Sequence, residues 1–144
     1  MFDDANVEIE QVTPESRHFP EVLAVGVEIY RTLEKWELSK VVSRKLASLA
    51  PDEPHWRVGW AYATRGAESL ESARLILLEA AECRPRIAIS HFKLACYECQ
   101  IGELEVAKAR LRDAFELNGR LRAVALEDAD LVPLWNSRGG EWVG

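Results

Sequence analysis

The chain has 144 residues, of which 48% are hydrophobic and 29% are charged, and it carries a formal net charge of −6. This composition is typical of one soluble globular domain that is long enough to bury a core, and it excludes a disordered or membrane-spanning protein. The acidic balance argues against nucleic acid and anionic membranes as partners, because both are bound through clustered lysine and arginine.

The cysteines and the N-terminus bear on the compartment. Three cysteines, an odd number in a chain without an export signal, indicate a reducing environment and no disulfide framework. The first ten residues are acidic and lack the basic and apolar regions of a signal peptide. We therefore expect a cytoplasmic protein.

Helix-forming residues dominate the chain and period-two alternation is nearly absent, which predicts an all-α fold. Residues 1–17 and 136–144 are predicted to be tails, and Gly66, Gly102 and Asn118–Gly119 are predicted to end helices. Apolar spacing predicts these helices: Pro20 to about Lys35, Trp36–Leu49, Pro54–Arg65, Ser69–Glu82, Ile87–Ile101, Glu103–Leu117, Arg120–Glu127 and a turn over Leu131–Trp135.

A regular period of about 34 residues runs through these helices. Gly66 and Gly102 stand two positions further apart than one period, which predicts two extra residues within 67–69. Such a period indicates stacked helix pairs, each of which needs its neighbours to bury its apolar face. The following residues recur at this spacing: Trp36, Leu70 and Leu104; Ser39, Ala73 and Ala107; Leu46, Ala80 and Ala114; Pro51 and Pro85.

The chain resembles the tetratricopeptide repeat family. Its middle unit carries Val58-Gly59, Ala61-Tyr62, Gly66, Leu70, Ala73, Leu77, Ala80 and Pro85, and its third unit carries Leu94, Ala95, Gly102, Leu104, Ala107, Leu111 and Ala114. The third unit departs from the family at Tyr97 and Gly119, and the first unit is degenerate. The closing run LEDADLVPLW resembles the segment that ends many bacterial arrays.

This resemblance implies a single domain over residues 18–135, an α-solenoid of three antiparallel helix pairs. The repeats are expected at about 20–51, 54–85 and 88–119, with a short capping helix within 120–135. A terminal repeat needs its apolar face covered. The residues expected to cover it are Leu121, Val124, Leu131 and Trp135.

The resemblance also implies a concave groove lined by the first helix of each pair. Ala24 and Glu28 stand where the family's carboxylate clamp needs Lys and Asn, so an extended or helical peptide with apolar anchors is the expected ligand. For Trp56 and Trp60, three interpretations stay open: groove binding, coverage by the protein's own tail, and ordinary core. The groove residues so picked out are Glu28, Arg31, Trp56, Trp60, Ala63, Phe92, Cys96 and Cys99.

The pair Cys96 and Cys99 is the strongest candidate for chemistry. The pair lies in mid-helix, away from the helix N-terminus that lowers thiol pKa values, and it lacks the further ligands that a zinc site needs. Buried structural thiols are the expected outcome. No nucleophile is paired with histidine and an acid. The sequence therefore predicts no catalytic residue, no metal and no cofactor.

We expect a non-catalytic protein–protein interaction module that binds a protein or peptide segment in an aromatic groove. The alternative is a self-associating structural subunit, such as a homodimer, whose groove is filled by its own tail or by a second copy. A redox or metal protein that uses the cysteine pair is a third hypothesis.

Overall fold

The computed structural model describes residues 20–136, with side chains from residue 25 onward, and this part of the chain is all-α without a β-strand. The predicted tails, apart from Asn136, and the side chain of Ala24 lie outside it. None of the described helices has the length and apolar character needed to cross a membrane. The helices are α1 Pro20–Thr32, α2 Trp36–Leu49, α3 Pro54–Ala67, α4 Leu70–Cys83, α5 Ala88–Ile101, α6 Leu104–Leu117, α7 Leu121–Glu127, a 3₁₀ turn Ala129–Leu131 and α8 Val132–Asn136.

The helix starts follow the period of the sequence without interruption. Helices α1, α3 and α5 begin at residues 20, 54 and 88, and α2, α4 and α6 begin at residues 36, 70 and 104. The predicted two-residue insertion is therefore wrong. Helix α3 continues to Ala67, so Gly66 lies inside the helix, and the residue equivalent to Gly102 is Glu68.

The turns between paired helices show where left-handed backbone is used. Gly102 has φ 103° and ends α5 as predicted, while Glu34 takes φ 56° at the equivalent position of the first unit. Among the described residues these two alone have positive φ. Helix α6 ends at Leu117, as predicted, but its C-cap Asn118 has extended backbone, with φ −151°, and not the left-handed backbone that Asn tolerates.

The described helices group into two compact units, α1–α3 and α4–α8. In the first unit α2 packs against α1 and α3, and in the second α5 packs against α4, α6 and the 3₁₀ turn. The single domain over 18–135 stays a prediction.

The residues that recur with the period lie in the core of each unit. Each is buried, which lets the helix backbones approach closely and confirms the structural role that the repeat predicts. The buried residues that recur with the period are Ser39, Ala73 and Ala107, together with Leu46, Ala80 and Ala114.

The end of the chain covers the second unit. Leu131 and Leu134 are fully buried, so the predicted role of Leu131 is confirmed. Val124 is exposed, and the prediction that it covers the last repeat is wrong. We call residues 128–136 the cap segment.

Substitutions at two glycines of α3 test the packing of the first unit. A Cβ at Gly66 would collide with the indole ring of Trp36, whereas a Cβ at Gly59 would meet only Ser43 Oγ, at 3.9 Å. We expect Gly66→Ala to cost about 1–3 kcal/mol of unfolding free energy through overpacking. Gly59→Ala should instead stabilise the helix by about 0.5–1 kcal/mol. Chemical denaturation of both variants checks this, and equal effects would contradict the assigned contact.

A second pair tests the cap segment. Leu134 is fully buried and Val132, two residues earlier, is 43% exposed. We expect Leu134→Ala to lower the unfolding free energy by about 2–5 kcal/mol, because it empties a closed core site. Val132→Ala should change it by less than about 0.5 kcal/mol. A thermal melt in which Leu134→Ala behaves like Val132→Ala would show that the cap segment is not part of the core.

Candidate functional site

The face of α5 that was predicted to line the groove is covered by the cap segment. The Cys96 thiol lies 3.7 Å from Asp128 Oδ2, as donor to it, and Gln100 Nε2 donates to the carbonyl of Asp130 at 2.8 Å. A backbone hydrogen bond from Leu134 reaches Cys99. Phe92, Cys96 and Cys99 are all buried, and the cap segment contacts both cysteines, so a partner would reach these thiols only if that segment moved.

The two thiols are held in their protonated form. Burial, followed by the nearby charge of Asp128, raises the pKa of Cys96 far above its ordinary value. Burial also raises the pKa of Cys99. Because the thiolate is both the nucleophile and the metal ligand, neither thiol is activated for chemistry.

Cys96, Asp128 and Asp130 bring ligand atoms within 4.8 Å of one another. The carboxylate of Asp128 is engaged locally, because its Oδ1 accepts the backbone N–H of Asp130 at 2.9 Å. This hydrogen bond caps the 3₁₀ turn, as Asp does at helix starts. The cluster therefore fixes the cap segment against α5.

The residues at which α3 and α5 begin show which positions of the two helices are equivalent, and they change the groove residues assigned on α3. The residues that correspond to Cys96 and Cys99 on α3 are Tyr62 and Arg65, not Trp60 and Ala63. Ala63 is buried in the core. Aligning Gly66 with Gly102 shifts the residues assigned on α3 by two positions. Aligning Pro20 with Pro54, which stand one period apart in the sequence, gives the correct positions.

Of the two α3 residues that correspond to Cys96 and Cys99, Tyr62 is the more accessible. Its side chain is 44% exposed. Its ring makes an edge contact with Trp36, with 5.4 Å between centroids. On α1 the corresponding residues, Glu28 and Arg31, are exposed and form an ion pair at 2.8 Å.

Trp60 lies at the position equivalent to Leu94, which is 0% exposed and therefore core. The indole of Trp60 is partly buried, and the guanidinium carbons of Arg44 and Arg57 lie 5.7 and 5.8 Å from its ring centroid. Trp56, also partly buried, makes an edge contact with His55 at 4.8 Å. The two tryptophans thus lie among basic and aromatic side chains of the first unit.

A buried carboxylate joins three helices of the second unit. Glu98 on α5 is fully buried and forms ion pairs with Arg110 of α6 at 3.2 Å and Arg74 of α4 at 3.6 Å. Burial raises the pKa of Glu98, and the two arginines oppose this shift. The network therefore links α4, α5 and α6 through one buried carboxylate.

The helix pairs and their regular period define an all-α, tetratricopeptide-like fold. A solved chain named MamA MSR-1 C2 is similar to this one, with a TM-score of 0.65 and 22% sequence identity. The match covers 83% of this chain and 68% of that chain, and it confirms the predicted fold class. No protein-family model and no curated protein matches the chain.

Thiol reactivity tests the assignment of the cysteines. Cys83 is exposed, whereas Cys96 and Cys99 are buried and have raised pKa values. We expect one fast-reacting thiol with a disulfide reagent under mildly alkaline conditions, because burial shields the other two and lowers their thiolate fraction. Cys83→Ser should remove the fast phase, and all three thiols should react in denaturant. A second fast thiol in the native protein would show that the cap segment opens readily.

Proposed function

We propose that the protein is a non-catalytic interaction module that binds a segment of another protein on the faces of α1 and α3. The observation that carries this proposal is the docking of the cap segment on α5. There, a helix face of the repeat already holds a short stretch of polypeptide through side-chain and backbone contacts.

The docked segment shows which contacts such a face makes. It presents a carboxylate to Cys96, a backbone carbonyl to Gln100, and two leucines that become fully buried. Repeats use equivalent surfaces in equivalent ways because each is one supersecondary unit with the same geometry. The equivalent face of α3 presents Tyr62, an amphipathic aromatic side chain of the kind that anchors protein interfaces.

The side chains on α1 and α3 and the net charge of the chain indicate which class of partner the surface binds. The row on α1 and α3 mixes Glu28, Arg31, Tyr62 and Arg65, which suits a peptide with polar and apolar side chains. A polyanion such as nucleic acid is disfavoured by the net charge of −6. Of the groove predicted from the sequence, the proposed surface keeps Glu28 and Arg31 on α1, and it takes Tyr62 and Arg65 on α3, because Phe92, Cys96 and Cys99 lie buried on α5.

The state of the cysteine pair supports a non-catalytic role. Burial holds Cys96 and Cys99 protonated, so the residues best suited to nucleophilic or redox chemistry do not supply a reactive thiolate. We place the protein in the cytoplasm, where its three cysteines stay reduced.

Self-association is the second candidate function. Leu38, Val41 and Leu49 are exposed on one side of α2, and exposed apolar clusters mark interaction surfaces. Light scattering of wild type and Val41→Glu tests this candidate. A concentration-dependent dimer that the substitution abolishes would support it, and a monomer throughout would contradict it.

Affinity capture tests the interaction module. We expect Tyr62→Ala to reduce capture of specific protein partners about tenfold or more, because it truncates an aromatic anchor. Leu75→Ala is the matched control, because Leu75 is a 60% exposed apolar residue on α4. Circular dichroism should show both variants folded. Equal partner capture by wild type and Tyr62→Ala would overturn the proposed site.

A further inference from the structure

The opposite side of α3 carries a second surface, which we call the Trp60 surface: Trp60 with Arg44 and Arg57. Arg44 comes from α2 and Arg57 from the first turn of α3, and both guanidinium groups lie over the same indole ring. Residues two apart on a helix are separated by about 200° around its axis, so Trp60 and Tyr62 face nearly opposite directions. The two surfaces are therefore independent.

The two arginines contact an aromatic ring and not a carboxylate. Among residues 20–136, Arg44 and Arg57 make no ion pair, and each lies over the indole of Trp60. By contrast, Arg31 is paired with Glu28, Lys40 with Glu37 and Glu68, and Arg110 with Glu98. Acidic residues outnumber basic ones by 24 to 18, so two adjacent unpaired arginines are a local reversal of the chain's charge.

The chemistry of the Trp60 surface selects a carboxylate. A guanidinium over an indole face keeps N–H donors free at its edges, and these match the geometry of a carboxylate. The partly buried indole offers apolar contact beside them. Tryptophan and arginine together are the residues most enriched where binding energy concentrates.

We propose that the Trp60 surface binds an acidic protein segment, one with Asp or Glu next to an apolar side chain. Arg44 and Arg57 receive the carboxylates and Trp60 receives the apolar side chain. Nucleic acid fits this surface less well, because strong binding to a phosphate backbone uses many cationic contacts and the rest of the chain is acidic.

Selection from a displayed library of short random peptides tests this inference. The peptides selected on the full-length wild-type chain are rebound to three variants: the double variant Arg44→Glu/Arg57→Glu, Lys45→Glu, and Tyr62→Ala. Lys45→Glu is the control, since it makes the same charge change as each single substitution of the double variant, at an exposed position next to Arg44 on the same helix. Circular dichroism checks that each variant folds, and single Arg→Gln variants replace the double variant if it does not.

We expect a group of selected peptides rich in Asp, Glu and apolar residues. Their affinity should fall at least about tenfold on the double variant, change little on the Lys45→Glu or Tyr62→Ala variant, and weaken as salt rises. A selected pool in which the peptides sensitive to the double variant are not acidic would overturn the inference. So would a pool with no sensitive peptides, or tighter binding of a single-stranded oligonucleotide at the same surface. Loss confined to the Tyr62→Ala variant would leave the proposed function standing without the Trp60 surface.

Discussion

Close packing around buried residues that recur with the period is the constraint on which the rest of each unit depends. Ala73 and Ala107 occupy the same position in α4 and α6, and Ala80 and Ala114 occupy another. Protein interiors pack as densely as organic crystals, so a helix that slipped by one residue would force a larger side chain into the crossing. This constraint fixes which way every other side chain faces, and it makes comparison between repeats meaningful.

One repeat position has two different environments in this chain. Cys96 is buried beneath the cap segment, whereas Tyr62, at the same position of α3, is accessible. The difference arises because the cap segment lies on α5, where Asp128 accepts a hydrogen bond from Cys96 and the carbonyl of Asp130 accepts one from Gln100. The cap segment is thus both a structural cover and an internal example of how such a face holds polypeptide.

Two pairs of arginines in the chain have different kinds of partner. Arg74 and Arg110 surround the buried Glu98, where low polarity strengthens each ion pair and also penalises the charged carboxylate. Arg44 and Arg57 lie instead at an indole and make no ion pair among the described residues. Arg74 and Arg110 link helices of the second unit, while Arg44 and Arg57 remain able to bind a carboxylate of another molecule.

The all-α fold, the period and most helix bounds followed from the sequence, because apolar and small residues recur along one dimension and Trp36–Leu49 shows that pattern locally. Gly66 could not be interpreted correctly in this way. A glycine that ends a helix and one that admits a neighbouring ring look alike in sequence, and only the position of Trp36 tells them apart. The same holds for Cys96, because its burial depends on Asp128, a residue 32 positions away that only folding brings to it. Tertiary structure therefore decided which face of α3 is open and which face of α5 is closed.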